Sequence, residues 1–127
     1  MLKSIHHIAI ICSNYAISKN FYTNILGLSI IREVYRDERK SCKLDLALNG
    51  VYIIELFSFP VTPQRLTLPE ATGLRHLAFA VDDIQYTVRK LKNQGISAQE
   101  LRVDEFTNKK FTFIFDPDNL PIELYEA

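Results

Sequence analysis

Hydrophobic and polar positions in the first half of the chain predict the element order βαβββ. The apolar run at 7–11 is typical of a strand, and the helical pattern that follows over 15–26 stops at Gly27. Three further strand-like runs come next, at 29–36, 42–49 and 51–58. Asn49 and Gly50 separate the last two runs, and this dipeptide is a strong signal for a tight hairpin.

The second half shows the same order of elements. An apolar run at 76–81 is followed by a helical pattern over 84–94 that stops at Gly95, and Asp82 and Asp83 are suited to cap the start of that helix. Strand-like runs complete this half at 97–104, 110–116 and 120–126, the last two joined by a DPDN turn. The pattern again predicts βαβββ.

The two halves are therefore an internal repeat, and its spacing is nearly constant. His7 and His76 are 69 positions apart, whereas Glu55 and Glu123 are 68 apart, as are the two glycines that end the helices. The segment IELF of the first half returns as IELY in the second. The repeat places one histidine and one glutamate at matched positions in each half.

The length of 127 residues, nearly half of them hydrophobic, is typical of one compact α+β domain. Three prolines without strand or helix periodicity mark 59–72 as a linker. The sequence therefore predicts a first module at 1–58, this linker at 59–72 and a second module at 73–127.

The matched residues have the chemistry of a metal site. Strand alternation puts His7 and Glu55, and likewise His76 and Glu123, on the faces opposite the most apolar positions of their strands. A carboxylate in the middle of an apolar strand is costly unless a cation compensates it. One divalent ion shared by two imidazoles and two carboxylates would compensate both, and this donor set suits Zn, Ni, Co, Fe or Mn.

Each of these residues has a plainer interpretation when taken alone. A lone histidine at a strand start is usually a hydrogen-bonded structural residue, and a lone glutamate on a strand is usually solvated. The recurrence of the pair in both halves favours the metal site. His6 has the opposite strand parity to His7, so it is predicted to face away from the site and to be structural.

The charge balance and the composition limit the kinds of partner that this protein is expected to bind. Lys and Arg together number 15, as do Asp and Glu, so no field of one sign would attract nucleic acid or an anionic membrane. No run approaches a membrane span, the first residues do not form a signal peptide, and Cys12 and Cys42 lack disulfide-type spacing. The sequence predicts a cytoplasmic protein with reduced thiols, whose partners are recognised by local chemistry at a site.

Several segments, in order along essentially the whole chain, resemble the vicinal oxygen chelate superfamily of glyoxalase I, bleomycin-resistance proteins and extradiol dioxygenases. The segments are HHIAI, KNFYTNILGLSI, YIIELF, GLRHLAFAVDDI and FIFDPDNLPIELYE. The resemblance implies two tandem βαβββ modules, each with its sheet curled into a cup around a shared metal site, and a homodimer. It also implies that the metal ligands are His7, Glu55, His76 and Glu123.

The resemblance implies an activity of the glyoxalase I type. In such enzymes the metal binds vicinal oxygens of the substrate as a Lewis acid, and a carboxylate moves a proton between adjacent carbons through an enediolate. Glu123 is the first candidate for that base and Glu55 the second. The expected function is a lactoylglutathione lyase-like lyase or isomerase that acts on a small α-hydroxycarbonyl compound.

The chain departs from glutathione-dependent glyoxalases at two positions. Those enzymes typically carry Arg four residues after the first His and Asn four residues after the first Glu, where this chain has Ile11 and Phe59. Glutathione dependence is therefore not expected. The basic residues Arg32, Arg36, Arg39, Lys40 and Lys43 are interpreted as a solvated strand and turn in preference to an anionic-substrate site.

Three related functions are weaker alternatives. A non-haem iron dioxygenase needs two histidines and one carboxylate, so a fourth ligand at Glu55 weighs against it. An acyl-CoA epimerase of the superfamily tends to be longer and to have Gln at that position. A bleomycin-resistance-type binding protein ordinarily holds no metal, so the retention of all four ligand-type residues disfavours it.

Overall fold

The computed structural model describes all residues from Met1 to Ala127 and divides the chain into two compact units, Met1–Gln64 and Arg65–Ala127. Each unit contains one helix and one four-stranded mixed sheet. The α+β fold of two βαβββ modules is confirmed. No helix has the length and apolar composition that crossing a membrane requires.

The first unit arranges its strands in the order β1-β4-β3-β2, with β1 parallel to β4 and the other neighbours antiparallel. Its helix begins after Asn14, whose side chain accepts a hydrogen bond from Ile17 N, and its last turns are π-helical. The elements are β1 (Ile8–Cys12), α1 (Tyr15–Asn20) with its π-helical continuation (Phe21–Ile25), β2 (Ser29–Arg36), a 3₁₀ turn (Asp37–Arg39), β3 (Ser41–Leu48) and β4 (Val51–Ser58).

The second unit repeats this topology in the order β5-β8-β7-β6, with β5 parallel to β8. Asp83 caps its helix by accepting a hydrogen bond from Tyr86 N at 2.9 Å, as the sequence predicts. The elements are β5 (Leu77–Val81), α2 (Ile84–Asn93), β6 (Arg102–Val103), β7 (Lys110–Phe115) and β8 (Pro121–Glu126).

Each sheet is apolar on the face that its helix covers. On β4 the side chains of Ile54 and Leu56 are fully buried, and on β8 Ile122 and Leu124 are buried in the same way. Burying one such side chain contributes roughly 1.5–3 kcal/mol. Because successive strand residues point to opposite faces, the residues between them lie on the uncovered face of each sheet.

Turns follow the local signals in the sequence. Asn49 and Gly50 both have positive φ, 50° and 79°, as a two-residue hairpin of type I′ requires. Gly27 and Gly95 end the two helices with φ of 84° and 85°. These residues set the register between β3 and β4 and the direction in which each chain segment leaves its helix.

Strand β6 is shorter than predicted. The sequence predicts a strand at 97–104, but regular pairing with β7 is confined to Arg102 and Val103. The backbone amide of Gln99 donates to the carbonyl of Phe113 at 2.9 Å, but the carbonyl of Gln99 accepts from the buried hydroxyl of Thr112 at 2.7 Å, so a side chain takes the place of one ladder bond. The matched position in the first unit is Leu44, which has no hydroxyl, and there β2 pairs along its length.

Candidate metal centre

The first unit brings His7 and Glu55 together. His7 immediately precedes β1, and Ile8 pairs in parallel register with Ile54 on β4. The His7 Nε2 atom lies 3.7 Å from Glu55 Oε1, with 34% and 15% of the two side chains exposed. Both donors are therefore reachable from solvent, although the strands hold their backbones in place.

The second unit brings His76 and Glu123 together in the same way. His76 immediately precedes β5, and Leu77 pairs with Ile122 on β8. Nε2 of the histidine lies 2.8 Å from Oε2 of the glutamate, and 27% and 15% of the side chains are exposed. The repeat in the sequence thus becomes two nitrogen–oxygen donor pairs at equivalent strand positions.

Neither unit assembles a larger ligand cluster on its own, since no group of three or more His, Cys, Asp or Glu side chains in metal-holding positions occurs within it. The predicted four residues thus form two pairs, one in each unit. Beside each pair, small side chains lie exposed on the first strand of the sheet, at Ala9 in the first unit and at Ala78 and Ala80 in the second. Imidazole and carboxylate donors beside open space fit a divalent ion of the borderline class.

The first pair is embedded in a charged network that sequence reasoning missed. Asp45 lies directly opposite Glu55 in the β3–β4 ladder and its side chain is fully buried. It accepts hydrogen bonds from Lys43 Nζ at 2.7 Å, Tyr52 Oη at 2.9 Å and Arg32 Nε at 3.2 Å. Burial alone would raise the pKa of Asp45, but these three donors outweigh it and hold the pKa below its usual range.

Lys43 connects this network to the candidate ligand. Its Nζ lies 3.2 Å from Glu55 Oε2, and Tyr52 Oη also lies 3.3 Å from that oxygen. The hydrogen bond to Asp45 is the main reason that the pKa of Lys43 is raised. Burial, followed by the bond to Asp45, raises the pKa of Tyr52. Glu55 therefore presents one oxygen to His7. Its other oxygen is held by Lys43 and by the single Tyr52 proton, which it shares with Asp45.

This network changes the interpretation of the basic residues at 32–43. Lys43 binds two carboxylates and Arg32 binds one, so neither of these two is simply solvated. The sequence does carry a signal for this arrangement, because Lys43 and Asp45 alternate with buried positions in the run KLDL and so share one face of β3. Two opposite charges at that spacing within an apolar strand predict a paired site.

The second pair has aromatic surroundings instead. The residue opposite Glu123 in the β7–β8 ladder is Phe113, whose ring meets the His76 ring edge to face at 5.2 Å between centroids. Phe111 and Tyr125 stack next to them at 6.4 Å. Glu123 receives no hydrogen bond from a lysine or a tyrosine, whereas Glu55 receives both, so the two pairs are alike in ligands and different in environment.

His6 departs from its predicted place. Its Nδ1 atom lies 2.8 Å from Nδ1 of His7, and its ring contacts Tyr52 edge to face. The prediction from strand parity was wrong because both histidines precede β1, where alternation does not apply. His7 in turn stacks on Tyr52 at 5.1 Å with an interplanar angle of 16°. His6 is thus positioned to orient the imidazole of His7.

Asp45→Asn is expected to destabilise the protein by about 2 kcal/mol, because it weakens the three hydrogen bonds that the buried carboxylate accepts from Lys43, Tyr52 and Arg32. Since folding lowers the pKa of Asp45, its stabilisation is complete above the unfolded value of about 4 and is lost as pH falls through the folded value. The difference in unfolding free energy between wild type and variant should therefore shrink below about pH 4. Urea titrations from pH 3 to 7 measure it.

Glu33→Gln is the matched control for that experiment. Glu33 also accepts hydrogen bonds from a lysine and a tyrosine, Lys19 and Tyr15, but 40% of its side chain is exposed. Removing an exposed ion pair of this kind costs at most about 1 kcal/mol. Equal destabilisation by both variants, independent of pH, would show that the Asp45 network adds nothing beyond a surface ion pair.

The chain is similar to known proteins over almost its whole length. Residues 4–124 match the family model described as Glyoxalase/Bleomycin resistance protein/Dioxygenase superfamily. The uncharacterized protein YwkD of Bacillus subtilis (strain 168) is 60% identical over 126 residues, which cover 99% of this chain and 98% of that protein. Glyoxylase I 4 of Arabidopsis thaliana is 25% identical, over 97% of this chain and 70% of its own.

Among solved structures, the glyoxalase family protein from Enterococcus faecalis superimposes with a TM-score of 0.90. It is 51% identical in sequence, and the match covers 98% of each chain. The match therefore extends over both βαβββ units.

Proposed function

This chain belongs to the Glyoxalase/Bleomycin resistance protein/Dioxygenase superfamily, and we propose that it is a metal-dependent lyase or isomerase of glyoxalase I type. The superfamily contains enzymes as well as binding proteins, and divalent metals are common in it. The proposed substrate is a small α-hydroxycarbonyl compound. The observation that carries the proposal is the presence of a histidine–glutamate pair at equivalent strand positions in both units.

We assign the metal ligands as His7, Glu55, His76 and Glu123, holding one divalent ion of Zn, Ni, Co, Fe or Mn. Each unit supplies one imidazole nitrogen and one carboxylate, a donor set that these ions accept. When bound, the ion would polarise the vicinal oxygens of the substrate and offset negative charge that develops there. Both pairs lie on partly exposed faces, so a substrate has access to them.

Glu123 is proposed as the group that moves the proton. Within its unit its one polar side-chain partner is His76, whereas Glu55 is also engaged by Lys43 and Tyr52. A carboxylate with fewer fixed partners is free to approach the carbon next to the carbonyl, take its proton and deliver it to the neighbouring carbon. In this proposal Glu55 keeps a fixed position and Glu123 performs the transfer.

Glutathione is not part of the proposed reaction. Ile11, at the position where glutathione-dependent relatives carry Arg, is 55% exposed on the face of β1 that also bears Ala9. Phe59, at the position of their Asn, stacks on Phe57. Neither side chain has a hydrogen-bonding group for the γ-glutamyl or glycyl ends of the tripeptide, which favours a substrate without it.

A homodimer is also proposed. The edge strand β2 exposes four large apolar side chains along its length, an arrangement that a monomer rarely leaves uncovered. They are Ile30, Ile31, Val34 and Tyr35. Proteins of the superfamily are often dimers, which agrees with burial of this strand against a second copy.

Metal analysis of the purified protein tests the proposal. We expect about one divalent ion per chain by elemental mass spectrometry, and a fall in melting temperature after chelation that is reversed by Zn²⁺, Ni²⁺ or Mn²⁺. A protein that folds normally, holds no metal and shows no thermal shift with any of these ions would be a binding protein and not the proposed enzyme. Consumption of O₂ with bound iron would instead identify a dioxygenase.

A further inference from the structure

We propose that the cavity beside His76 in the second unit is a substrate pocket that selects an oxyanion-bearing compound, with Arg102 as the residue that binds the carboxylate or phosphate. The inference rests on the proposed function, because it deepens the substrate class of that site. The cavity has a volume of about 380 Å³ and reaches His76. This volume is at the small end of the range of roughly 300–1,000 Å³ for ligand pockets.

The polar groups around the cavity leave an excess of positive charge. Three arginines and one glutamate line it: Arg65, Arg75, Arg102 and Glu70. Arg75 is paired with that glutamate, and Arg65 donates to the carbonyl oxygens of Leu74 and of Arg75. Arg102 forms no ion pair with any carboxylate of its unit, so its charge remains available to a ligand.

Aromatic side chains hold the Arg102 guanidinium in place. Its Cζ lies 4.9 Å from the centroid of Phe111 and 5.5 Å from that of Phe113. Its one hydrogen bond to a side chain is a long one, 3.4 Å, to Gln99 Oε1. A stacked guanidinium is prepared for the two parallel hydrogen bonds that a carboxylate or phosphate accepts, since little side-chain freedom remains to be lost.

The same aromatic ring connects the guanidinium to the metal-ligand pair. Phe113 lies under Arg102 on one side and meets the ring of His76 on another. Apolar side chains complete the lining, among them Leu74, Phe115 and Pro121. The cavity thus presents Arg102, then apolar side chains, then His76. This order matches a compound that has an oxyanion at one end, a compact apolar or aryl body, and vicinal oxygens at the end near His76.

Calorimetric titration with three related probes tests the proposal. The probes share a hydroxyacetyl group on a benzene ring: 4-(hydroxyacetyl)benzoate adds a carboxylate at the other end, 4-(hydroxyacetyl)phenyl phosphate adds a phosphate there, and 2-hydroxyacetophenone is neutral. We expect at least one anion to bind the full chain about 10-fold or more tightly than the neutral probe, and the tighter anion identifies the preferred oxyanion. Arg102→Met should remove that preference, and Arg102→Lys should restore only part of it, because lysine lacks the planar fork.

Arg36→Met is the matched control, since Arg36 also stacks on a phenylalanine, Phe57, at 4.9 Å but lies in the first unit. Its affinities should equal those of wild type. The titrations are repeated after chelation, and the preference for the anion should persist, because Arg102 and not the metal provides it. Equal affinity for all three probes, or an unchanged preference in Arg102→Met, would overturn the inference. Absence of metal combined with an intact, Arg102-dependent preference would overturn the proposed function and leave the pocket assignment standing.

Discussion

Glu123→Gln is expected to slow proton exchange at the carbon next to a substrate carbonyl by about 10²–10⁴-fold, the usual contribution of a general base. Gln has nearly the shape of Glu and keeps an oxygen for His76, but it cannot accept the proton. The residue lies on β8 between two buried positions, so its backbone is held by the sheet whatever the side chain does. Stability should therefore change little.

Hydrogen–deuterium exchange followed by NMR measures this effect without knowledge of the physiological substrate. Hydroxyacetone and 2-hydroxyacetophenone in D₂O provide exchangeable protons next to a carbonyl. Glu55→Gln should lower metal content more than it lowers exchange per bound metal, because Lys43 and Tyr52 already hold that carboxylate in place. Glu126→Gln on the same strand, whose carboxylate accepts only from a backbone amide, is the control and should exchange at the wild-type rate.

Full exchange activity in Glu123→Gln with normal metal content would remove Glu123 as the base and leave the metal site intact. Loss of exchange in proportion to loss of metal would show that the residue acts as a ligand alone. The assignment thus depends on the ratio of the exchange rate to bound metal, and not on either quantity separately.

His7→Ala and His76→Ala are each expected to lower the affinity for a divalent ion by more than 100-fold. Loss of an outer-shell partner of a metal ligand typically costs about 10–100-fold, so removal of a ligand itself should exceed that range. A ligand present at 100 times its dissociation constant stabilises the folded state by about 2.7 kcal/mol. Each variant should therefore lose most of the metal-induced rise in melting temperature.

His6→Ala provides the comparison within the same sequence segment. His6 contacts His7 through Nδ1 and lies outside the proposed ligand set, so its removal should cost about 10-fold or less. Competition titrations with a chromophoric chelator measure all three variants. If the effect of His6→Ala equalled that of His7→Ala while His76→Ala bound metal normally, the ion would belong to the adjacent histidine pair and the four-ligand assignment would be wrong.

The different surroundings of the two histidine–glutamate pairs are the reason that we assign different roles to Glu55 and Glu123. In the first unit the carboxylate lies among Lys43, Asp45 and Tyr52, and in the second it lies beside Phe113. A symmetric reaction site would leave the two glutamates interchangeable. The charged network holds one of them in place, whereas Phe113, which lies beside the other, lines the cavity that contains Arg102.

Much of the fold was predictable because its signals are local. Strands β2 and β4 have the predicted bounds, the NG hairpin has the predicted backbone, and both helices end at their glycines. Alternation, turn residues and helix stops act over a few positions, so they can be recognised in one sequence. The repeat then extends each local prediction to the second unit.

Predictions failed at two places where regular strand structure ends. The hydroxyl of Thr112 on β7 takes the place of one ladder bond at Gln99, and the residues at 97–104 contain no pattern from which this hydrogen bond could be predicted. His6 was placed by a parity rule that holds inside strands, but β1 begins two residues later. In both cases the error came from extending a rule for regular structure beyond the point where the regular structure ends.

The histidine and glutamate of each pair were identifiable from the amino-acid order because a duplicated spacing records which residues occupy equivalent strand positions. Their surroundings were not, because cross-strand register brings residues together that are far apart in sequence. That register alone puts Asp45 opposite Glu55 and Phe113 opposite Glu123, and it packs Arg102 against aromatic rings next to His76. The sequence repeat thus determines which side chains form the two pairs. The different surroundings of the pairs are decided by the pairing between strands in the tertiary structure.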